Sequence, residues 1–338
     1  MKILLIASHG IGDLIMLIPA LKRMELTSRH SVTILLNSKI EKELYNLVFE
    51  NHKTKILLIR DFNNFFSKIK LIKELRKENY DKILAQAGVS RLKVLLLSCL
   101  MRNFFIQSFF SFFKYKKEII HSHKVIKNFE TLSLQTGVSL DNFHYEYPTL
   151  VFSSHCKKKI GSFIKEEVQN KEMIIIGPGS FFRERHKRFA PENYSKVILK
   201  ILKKYINFKI ILVGSKNEYK DCALISRLSD DKDIINTAGK FSLTETIYLL
   251  KQSKVIIANC NAISHIGALL SKPIIGIYGP TDYKITGPHN SKLYPVSINL
   301  ECSPCYQDTP EGCGNPVCMS QISPELVFEN VERCLKEV

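Results

Sequence analysis

Short apolar runs alternate with helix-like stretches from the first residue, and this alternation constrains the fold most strongly. In the first half, strand-like runs cover residues 2–7, 32–36, 55–59 and 82–86, and helical periodicity covers 12–25, 39–49, 64–78 and 122–136. Strands separated by whole helices require crossover connections, which favour a parallel sheet with right-handed connections. The first half therefore predicts a doubly wound α/β domain.

The same pattern restarts after a break near residues 144–148. Strand-like runs follow at 173–176, 209–213, 233–236, 255–258 and 274–277, with helices expected at 191–205, 217–228, 243–251 and 261–270. We therefore expect two Rossmann-like α/β domains, 1–150 and 151–338, with the last helix free to pack back on the first domain. Two such domains facing a central cleft would place ligands at the carboxyl ends of their strands.

The chain is basic, with 49 Lys and Arg against 32 Asp and Glu and a formal net charge of +17. Such an excess attracts polyanions, including nucleic acids, anionic lipids and phosphorylated sugars, although a general lysine bias would produce the same balance. No motif combines aromatic and basic residues as nucleic-acid recognition requires, so we expect no nucleic-acid partner.

One strongly apolar stretch, Val94 to Phe113, raises the question of a membrane. Arg102, Asn103 and Gln107 interrupt it, which argues against a spanning helix. Buried core and contact with an anionic membrane surface both remain as interpretations. Because the chain starts directly with a strand-like run and has no secretory leader pattern, we expect a cytoplasmic protein that could bind the inner face of the cytoplasmic membrane peripherally.

Polar and glycine-rich loops follow the expected strands of the second half. They include Gly177-Pro178-Gly179-Ser180 with Lys187 and Arg188 shortly after it, Glu218 near a helix start, the stretch Ala258–His265, and Gly279-Pro280-Thr281-Asp282. Glycines allow close backbone approach, cations neutralise phosphate, and free amides at a helix start bind pyrophosphate. These loops predict a nucleoside diphosphate site, although neither a P-loop nor the GxGxxG fingerprint is present.

Each of these residues also has a structural interpretation. The basic loop could be solvated, and Glu218 could stabilise a helix N-terminus instead of binding a ribose diol. The donor-binding residues that we predict are Ser180, Lys187, Arg188, Glu218, Asn261, Ala262 and His265.

Four cysteines lie near the end of the chain, at Cys302, Cys305, Cys313 and Cys318. Four thiolates suit tetrahedral zinc, but their spacing departs from the usual paired CxxC form. Structural zinc, a disulfide and free thiols all remain open, and none of them makes the cluster catalytic.

The order of these motifs resembles glycosyltransferase family 9, the ADP-heptose:lipopolysaccharide heptosyltransferases, over nearly the whole chain. The motifs are Gly12-Asp13-Leu14 with Pro19-Ala20-Leu21, Pro178-Gly179-Ser180, Lys187-Arg188-Phe189-Ala190-Pro191, Ala238-Gly239-Lys240-Phe241-Ser242-Leu243, Gly279 to Asp282, Thr286 to Pro288, and the terminal cysteines. The chain departs from the family where Asn-Asp-Ser/Thr-Gly-x-x-His is usual. Here Cys260 replaces the Asp, Ala262 replaces the Gly, and Phe189 replaces a Trp.

The resemblance implies a GT-B fold and inverting transfer of a sugar from a nucleotide donor, most simply ADP-heptose, to a lipopolysaccharide or other surface-glycan acceptor. It implies no obligatory metal or other cofactor. It makes Asp13 the general base, exposed in the cleft, with His9, Gly10 and Gly12 at the acceptor. Asp13 could instead cap the following helix, since Asp is a good N-cap residue. Two other functions remain open: a nucleotide-sugar-binding protein with lost or altered activity, and a sugar-nucleotide epimerase of similar fold.

Overall fold

The computed structural model describes residues 2–7, 10–27, 31–49, 54–62, 64–87, 122–136, 147–289, 292–305, 313 and 315–338. The chain separates into two compact units, Met1–Leu150 (unit 1) and Val151–Val338 (unit 2). His9 and the apolar stretch Val94 to Phe113 lie outside the described residues.

Unit 1 contains a parallel four-stranded sheet with the strand order β3-β2-β1-β4. Its elements are β1 (Lys2–Ala7), α1 (Ile11–Thr27), β2 (Ser31–Leu36), α2 (Lys39–Val48), β3 (Lys55–Leu58), α3 (Phe65–Lys77), β4 (Lys82–Ala85) and α4 (Lys124–Thr136). Lys2 pairs with Ser31 across β1 and β2, and Ile3 pairs with Lys82 across β1 and β4. The central strand is apolar along its length because helices cover both faces of such a sheet.

The core of unit 1 forms where sheet side chains meet helix α3. Leu4 and Ile6 of β1 pack with Ile83 of β4 and with Leu71 and Leu75 of α3. Helix α1 packs against α4, so the turn after β1 is held by an element that follows it by more than a hundred residues. This packing fixes the start of α1, where the predicted base lies.

Unit 2 contains a parallel six-stranded sheet with the strand order β10-β9-β8-β5-β6-β7. Its elements are α5 (Ser154–Phe163), β5 (Glu172–Gly177), α6 (Pro191–Lys204), β6 (Phe208–Leu212), α7 (Tyr219–Ser229), β7 (Ile234–Asn236), α8 (Leu243–Lys251), β8 (Val255–Asn259), α9 (Ala262–Leu269), β9 (Ile274–Ile277), α10 (Tyr283–Thr286), β10 (Leu293–Val296), α11 (Val317–Ser320) and α12 (Pro324–Glu337). Short 3-10 turns cover Phe182–Lys187 and Lys216–Glu218.

Fully buried isoleucines of β5 and β8 form the centre of the unit 2 core, where α6 and α12 cover one face of the sheet. The sequence analysis left the last helix free to pack back on the first domain. Within the described residues, α12 contacts α6, β9 and β10 of its own unit. The predicted α/β class with two parallel-sheet units is confirmed.

Among the elements of unit 2 that were not predicted are α5 and β10. Helix α5 contains three consecutive lysines, which resemble a loop, but it buries Cys156, Ile160 and Phe163 on one face. Strand β10 contains Pro295, which a sheet tolerates because β10 lies at the edge. Helix α12 has Ser323 as its N-cap and a proline in its first turn.

Among the described residues, no helix combines the length and the apolar character that crossing a bilayer requires.

Candidate active site

Each sheet has one point where the strand order reverses, and ligands of open α/β sheets bind outside the carboxyl ends of the strands at this point. In unit 1 the reversal lies between β1 and β4, and in unit 2 it lies between β5 and β8. Asp13 follows β1, and the Gly177–Ser180 and Cys260–His265 segments follow β5 and β8. Most of the predicted site residues in the described chain therefore lie at these two reversals.

The turn after β1 requires glycine at one position. Gly10 has a φ of 141°, in the region that side-chain-bearing residues rarely adopt, and its carbonyl accepts a hydrogen bond from Leu14 N at 2.9 Å. Helix α1 begins at the next residue, so Gly12 is its second residue and Asp13 its third. Asp13 is therefore in the first turn and not at the N-cap position, which removes the simplest form of the capping interpretation.

Asp13 forms an ion pair that the sequence did not predict. Its Oδ1 contacts Nζ of Lys124, the first residue of α4, and both side chains are 23% exposed. Gln86, just after β4, donates from Nε2 to the main-chain oxygen of Asp13 at 2.7 Å. The carboxylate is thus partly accessible and paired with Lys124, while Gln86 fixes the main chain that carries it. Sequence analysis missed Lys124 because nothing local connects it with Asp13.

In unit 2, the Asn261 carboxamide joins the two strands at the reversal. It is the N-cap of α9, and its Oδ1 accepts hydrogen bonds from Ile263 N at 2.9 Å and Ser264 N at 3.2 Å. Its Nδ2 donates to the carbonyls of Gly177 and Gly179 at 2.9 and 2.8 Å. We expected the amides of this turn to be free for pyrophosphate, which is wrong for Ile263 and Ser264 because the cap already occupies them.

Asn259, the last residue of β8, forms a second connection that the sequence analysis did not single out. Its side chain is fully buried and donates from Nδ2 to Pro178 O at 2.6 Å. Its Oδ1 accepts from Phe189 N at 3.2 Å and from the Tyr194 hydroxyl at 2.9 Å. Burial raises the pKa of Tyr194, so this hydroxyl stays protonated and donates. A polar amide at the end of an otherwise apolar strand was the available signal.

The predicted donor residues Ser180 and Arg188 bind each other. Arg188 donates from Nε to Ser180 Oγ at 2.9 Å and from Nη2 to Ser180 O at 2.8 Å. Its Nη1 forms an ion pair with Asp221. Ser180 Oγ also donates to Glu184 O at 2.9 Å. These bonds hold the loop after β5 in shape, and direct contact of either residue with a donor stays a prediction.

Lys187 and Cys260 are neighbours on this edge of the sheet. The Lys187 side chain is only 7% exposed, and its Nζ lies 3.2 Å from Glu184 Oε1. Burial raises the pKa of the Cys260 thiol, while a hydrogen bond with Thr281 and the charge of Lys187 partly oppose this rise. Cys260 therefore presents a neutral thiol where a carboxylate is usual in the family motif.

A prediction follows for the Cys260 thiol. Because the thiolate is the form that reacts, iodoacetamide labelling of Cys260 at about pH 7 is expected to be roughly tenfold or more slower than labelling of the exposed Cys302. The Cys260 rate is expected to keep rising above the pH at which the labelling of an ordinary thiol levels off. Peptide mass spectrometry measures both rates in one sample. Equal labelling of the two cysteines at neutral pH would contradict the raised pKa.

The two carboxylate oxygens of Glu218 separate the two roles predicted for it, a helix-start role and ribose binding. Its Oε2 accepts a hydrogen bond from Ser215 N at 2.6 Å within a capping box, which is the helix-start role. Its Oε1 lies over Gly179, where a Cβ atom would come within 1.5 Å of it. A side chain at position 179 would force this carboxylate to move, so the loops after β5 and β6 meet at Glu218. One oxygen remains as the candidate ribose ligand.

The other predicted residues of this region lie on α9 or beside the Gly279 loop. Ala262 is the first residue of α9, and His265 is buried within it. The terminal cysteine segment packs against the Gly279 loop, because Ser303 Oγ donates to Gly279 O at 2.6 Å and Cys305 N donates to Pro280 O at 3.1 Å. Across the described residues, no three His, Cys, Asp or Glu side chains are placed to hold a metal ion. Structural zinc on Cys302, Cys305, Cys313 and Cys318 is left as a sequence-based hypothesis.

Two Rossmann-like units, each with polar loops at the carboxyl ends of its strands where the strand order reverses, are characteristic of the GT-B class of glycosyltransferase folds. The sequence profile of glycosyltransferase family 9 (heptosyltransferase) matches residues 68–313. A lipooligosaccharide heptosyltransferase 2 from Campylobacter jejuni is 24% identical over 344 residues, which cover 99% of each chain. The chain belongs to glycosyltransferase family 9 and is a glycosyltransferase, which confirms the family resemblance drawn from the motifs.

Solved structures agree with this fold. The ADP-heptose lipopolysaccharide heptosyltransferase II of Escherichia coli has a TM-score of 0.73 at 18% identity, covering 100% of this chain and 99% of its own. E. coli heptosyltransferase WaaC with ADP-2-deoxy-2-fluoro heptose has a TM-score of 0.66 at 16% identity, covering 98% and 99%.

Proposed function

We propose that this glycosyltransferase transfers a heptose from ADP-heptose to a lipopolysaccharide or lipooligosaccharide acceptor with inversion at the anomeric carbon. One observation carries the proposal: each sheet has polar loops at the point where its strand order reverses. The loop in unit 1 carries a partly accessible carboxylate, and the loops in unit 2 carry cations and a helix N-terminus. The names of the relatives, which include ADP-heptose and lipopolysaccharide, support the choice of donor and acceptor. The coarser conclusion, a nucleotide-sugar donor, also accords with the ADP-sugar bound by WaaC.

The donor is assigned to unit 2. Lys187 is the cation for the diphosphate because it is largely buried beside the loop after β8. The remaining N–H groups of Cys260, Asn261 and Ala262, at the start of α9, are the candidates for further phosphate contacts. Oε1 of Glu218 is assigned to the ribose. His265, which is buried in α9, is assigned as a further donor-binding residue. Ser180 and Arg188 hold the loop that carries these groups.

The acceptor is assigned to unit 1, at Gly10, Gly12 and Asp13 together with His9. In the proposed step, an acceptor hydroxyl oxygen forms the bond to C1 of the sugar while the bond from C1 to the diphosphate oxygen breaks. Asp13 takes the hydroxyl proton, and the nucleoside diphosphate leaves with the electron pair of the broken bond. Attack from the face opposite the leaving group gives inversion. No step is assigned to a metal ion, because cations and amides of the chain can balance the leaving charge.

A lipid-linked acceptor places the reaction at a membrane surface. We propose that the protein acts in the cytoplasm, with peripheral contact to the inner face of the cytoplasmic membrane. The net charge of +17 supports attraction to anionic headgroups.

The test is a reaction of the purified full chain with ADP-heptose and a heptose-deficient lipopolysaccharide acceptor. ADP release that requires the acceptor, with a product of inverted anomeric configuration by NMR, is the expected result. UDP-GlcNAc serves as the control donor. Interconversion of UDP-GlcNAc without any acceptor would favour the epimerase alternative. Tight ADP binding without transfer to any acceptor would favour the binding-protein alternative.

A further inference from the structure

Helix α4 presents two polar side chains to the first turns of α1. Lys124 and Asn128 are four residues apart and therefore lie on one face of α4. Lys124 pairs with Asp13 Oδ1, while the fully buried Asn128 donates from Nδ2 to Met16 O at 3.1 Å. Asn128 Oδ1 accepts from Ala87 N at 3.0 Å, just beyond β4. This one face of α4 therefore ties together α1 and the end of β4.

The position of Lys124 is not explained by its own helix. It is the first residue of α4, where the helix dipole disfavours a cation, and no acidic residue lies in the first turn of α4. Its charge is balanced by Asp13, which lies in the first turn of α1, where the dipole favours an anion. The lysine is placed to act on this carboxylate and not to stabilise α4.

We propose that Lys124 is the positioning residue for Asp13: it holds Oδ1 in place, so that Oδ2 is presented to the acceptor hydroxyl. This inference rests on the proposed role of Asp13 as the base. Asn128 and Gln86 support the same geometry, because they fix the backbone of α1 at Met16 and Asp13. Lys124 acts through Asp13 and does not touch the reacting atoms.

Other charged groups near the pair set the background for this effect. Glu41 of α2 is buried, and burial raises its pKa. Hydrogen bonds from the main chain of Asn37 and Ser38 and the charge of Arg60 oppose this rise, and the charge of Asp13 adds to it. Lys127 of α4 has a pKa lowered by burial and by the charge of Lys124. Among these neighbours, Lys124 is the cation in direct contact with Asp13.

The test compares Lys124→Met, which removes the charge, with Lys124→Arg, which keeps it. Lys124→Met should lower the single-turnover rate about tenfold, because Asp13 Oδ1 is no longer held in place. Lys124→Arg can still pair with Oδ1 and should restore most of the rate. Affinity for ADP should be unchanged in both variants, because the donor is assigned to unit 2. The exposed Lys73→Met on α3 is the matched control for loss of one positive charge.

Two further variants separate this inference from the proposed function. Asp13→Asn should be nearly inactive, and adding Lys124→Met to it should cause no further loss, because the lysine acts only through Asp13. If Asp13→Asn is inactive but Lys124→Met keeps the wild-type single-turnover rate, the positioning role is wrong and the base role stands. If Asp13→Asn retains normal turnover, the base role itself is wrong. Thermal unfolding by circular dichroism checks that each variant is folded.

Discussion

Asp13→Asn is expected to lower the single-turnover rate by about 10²–10⁴-fold, which corresponds to roughly 3–5 kcal/mol of barrier. Asn keeps the size of the side chain but cannot take a proton from the acceptor hydroxyl. The main-chain bond from Gln86 to residue 13 does not involve the side chain and should persist. Folding should therefore be intact. Affinity for ADP should be unchanged, because the donor is assigned to unit 2.

Rapid-quench kinetics and ADP titration measure these two quantities separately. Asp81→Asn is the matched control. Asp81 comes just before β4, at the amino-terminal end of the strands and away from Asp13, and it accepts a hydrogen bond from Lys2 N. This control should turn over like the wild type. Near-normal turnover of Asp13→Asn would eliminate Asp13 as the base. A large loss of ADP affinity with unchanged chemistry would make Asp13 a binding residue instead.

Asn259→Leu is expected to destabilise the protein by roughly 3–9 kcal/mol, because three buried groups lose their partners at about 1–3 kcal/mol each. These groups are Pro178 O, Phe189 N and the Tyr194 hydroxyl. Leu is similar in volume, so the loss would come from unpaired polar groups and not from a cavity. The Pro178–Gly179 turn should also lose its fixed position, which is expected to weaken ADP binding strongly.

Tyr194→Phe is the matched control for Asn259→Leu, because it removes one bond and leaves the carboxamide in place. It should cost only about 1 kcal/mol and leave ADP affinity unchanged. Chemical denaturation followed by circular dichroism gives the free energies, and isothermal titration gives the affinities. A loss below about 1 kcal/mol for Asn259→Leu would show that these three groups find other partners.

The regular part of the fold could be predicted because its cause is local. The buried run Met173–Ile176 and the helix after Pro191 each carry their own periodicity and end signals. Helix α5 was missed because charge dominates its sequence while only three of its positions are buried. Strand β10 was missed because proline argues against a strand, and only its edge position in the finished sheet removes that objection.

The positions of the loops at the two reversals could be predicted from the sequence, whereas the hydrogen-bond partners of their side chains could not. Glycines and charges after strands located both reversals, since a chain must turn there whatever it binds. The partner of each side chain depended on segments far away in sequence. Lys124 reaches Asp13 across 111 positions, and Asn259 reaches Pro178 across 81. No periodicity within one element indicates such pairs, which is why Asn261 was assigned to the ligand when its carboxamide contacts main-chain groups.

The two asparagines of unit 2 also affect how this enzyme can evolve. Asn259 and Asn261 fix the loop through bonds to main-chain atoms and to Tyr194, and the residue between them, Cys260, makes none of those bonds. The side chain at position 260 can therefore change without removing any of these bonds. Evolution can alter the charge that this position contributes while the two asparagines continue to hold the loop.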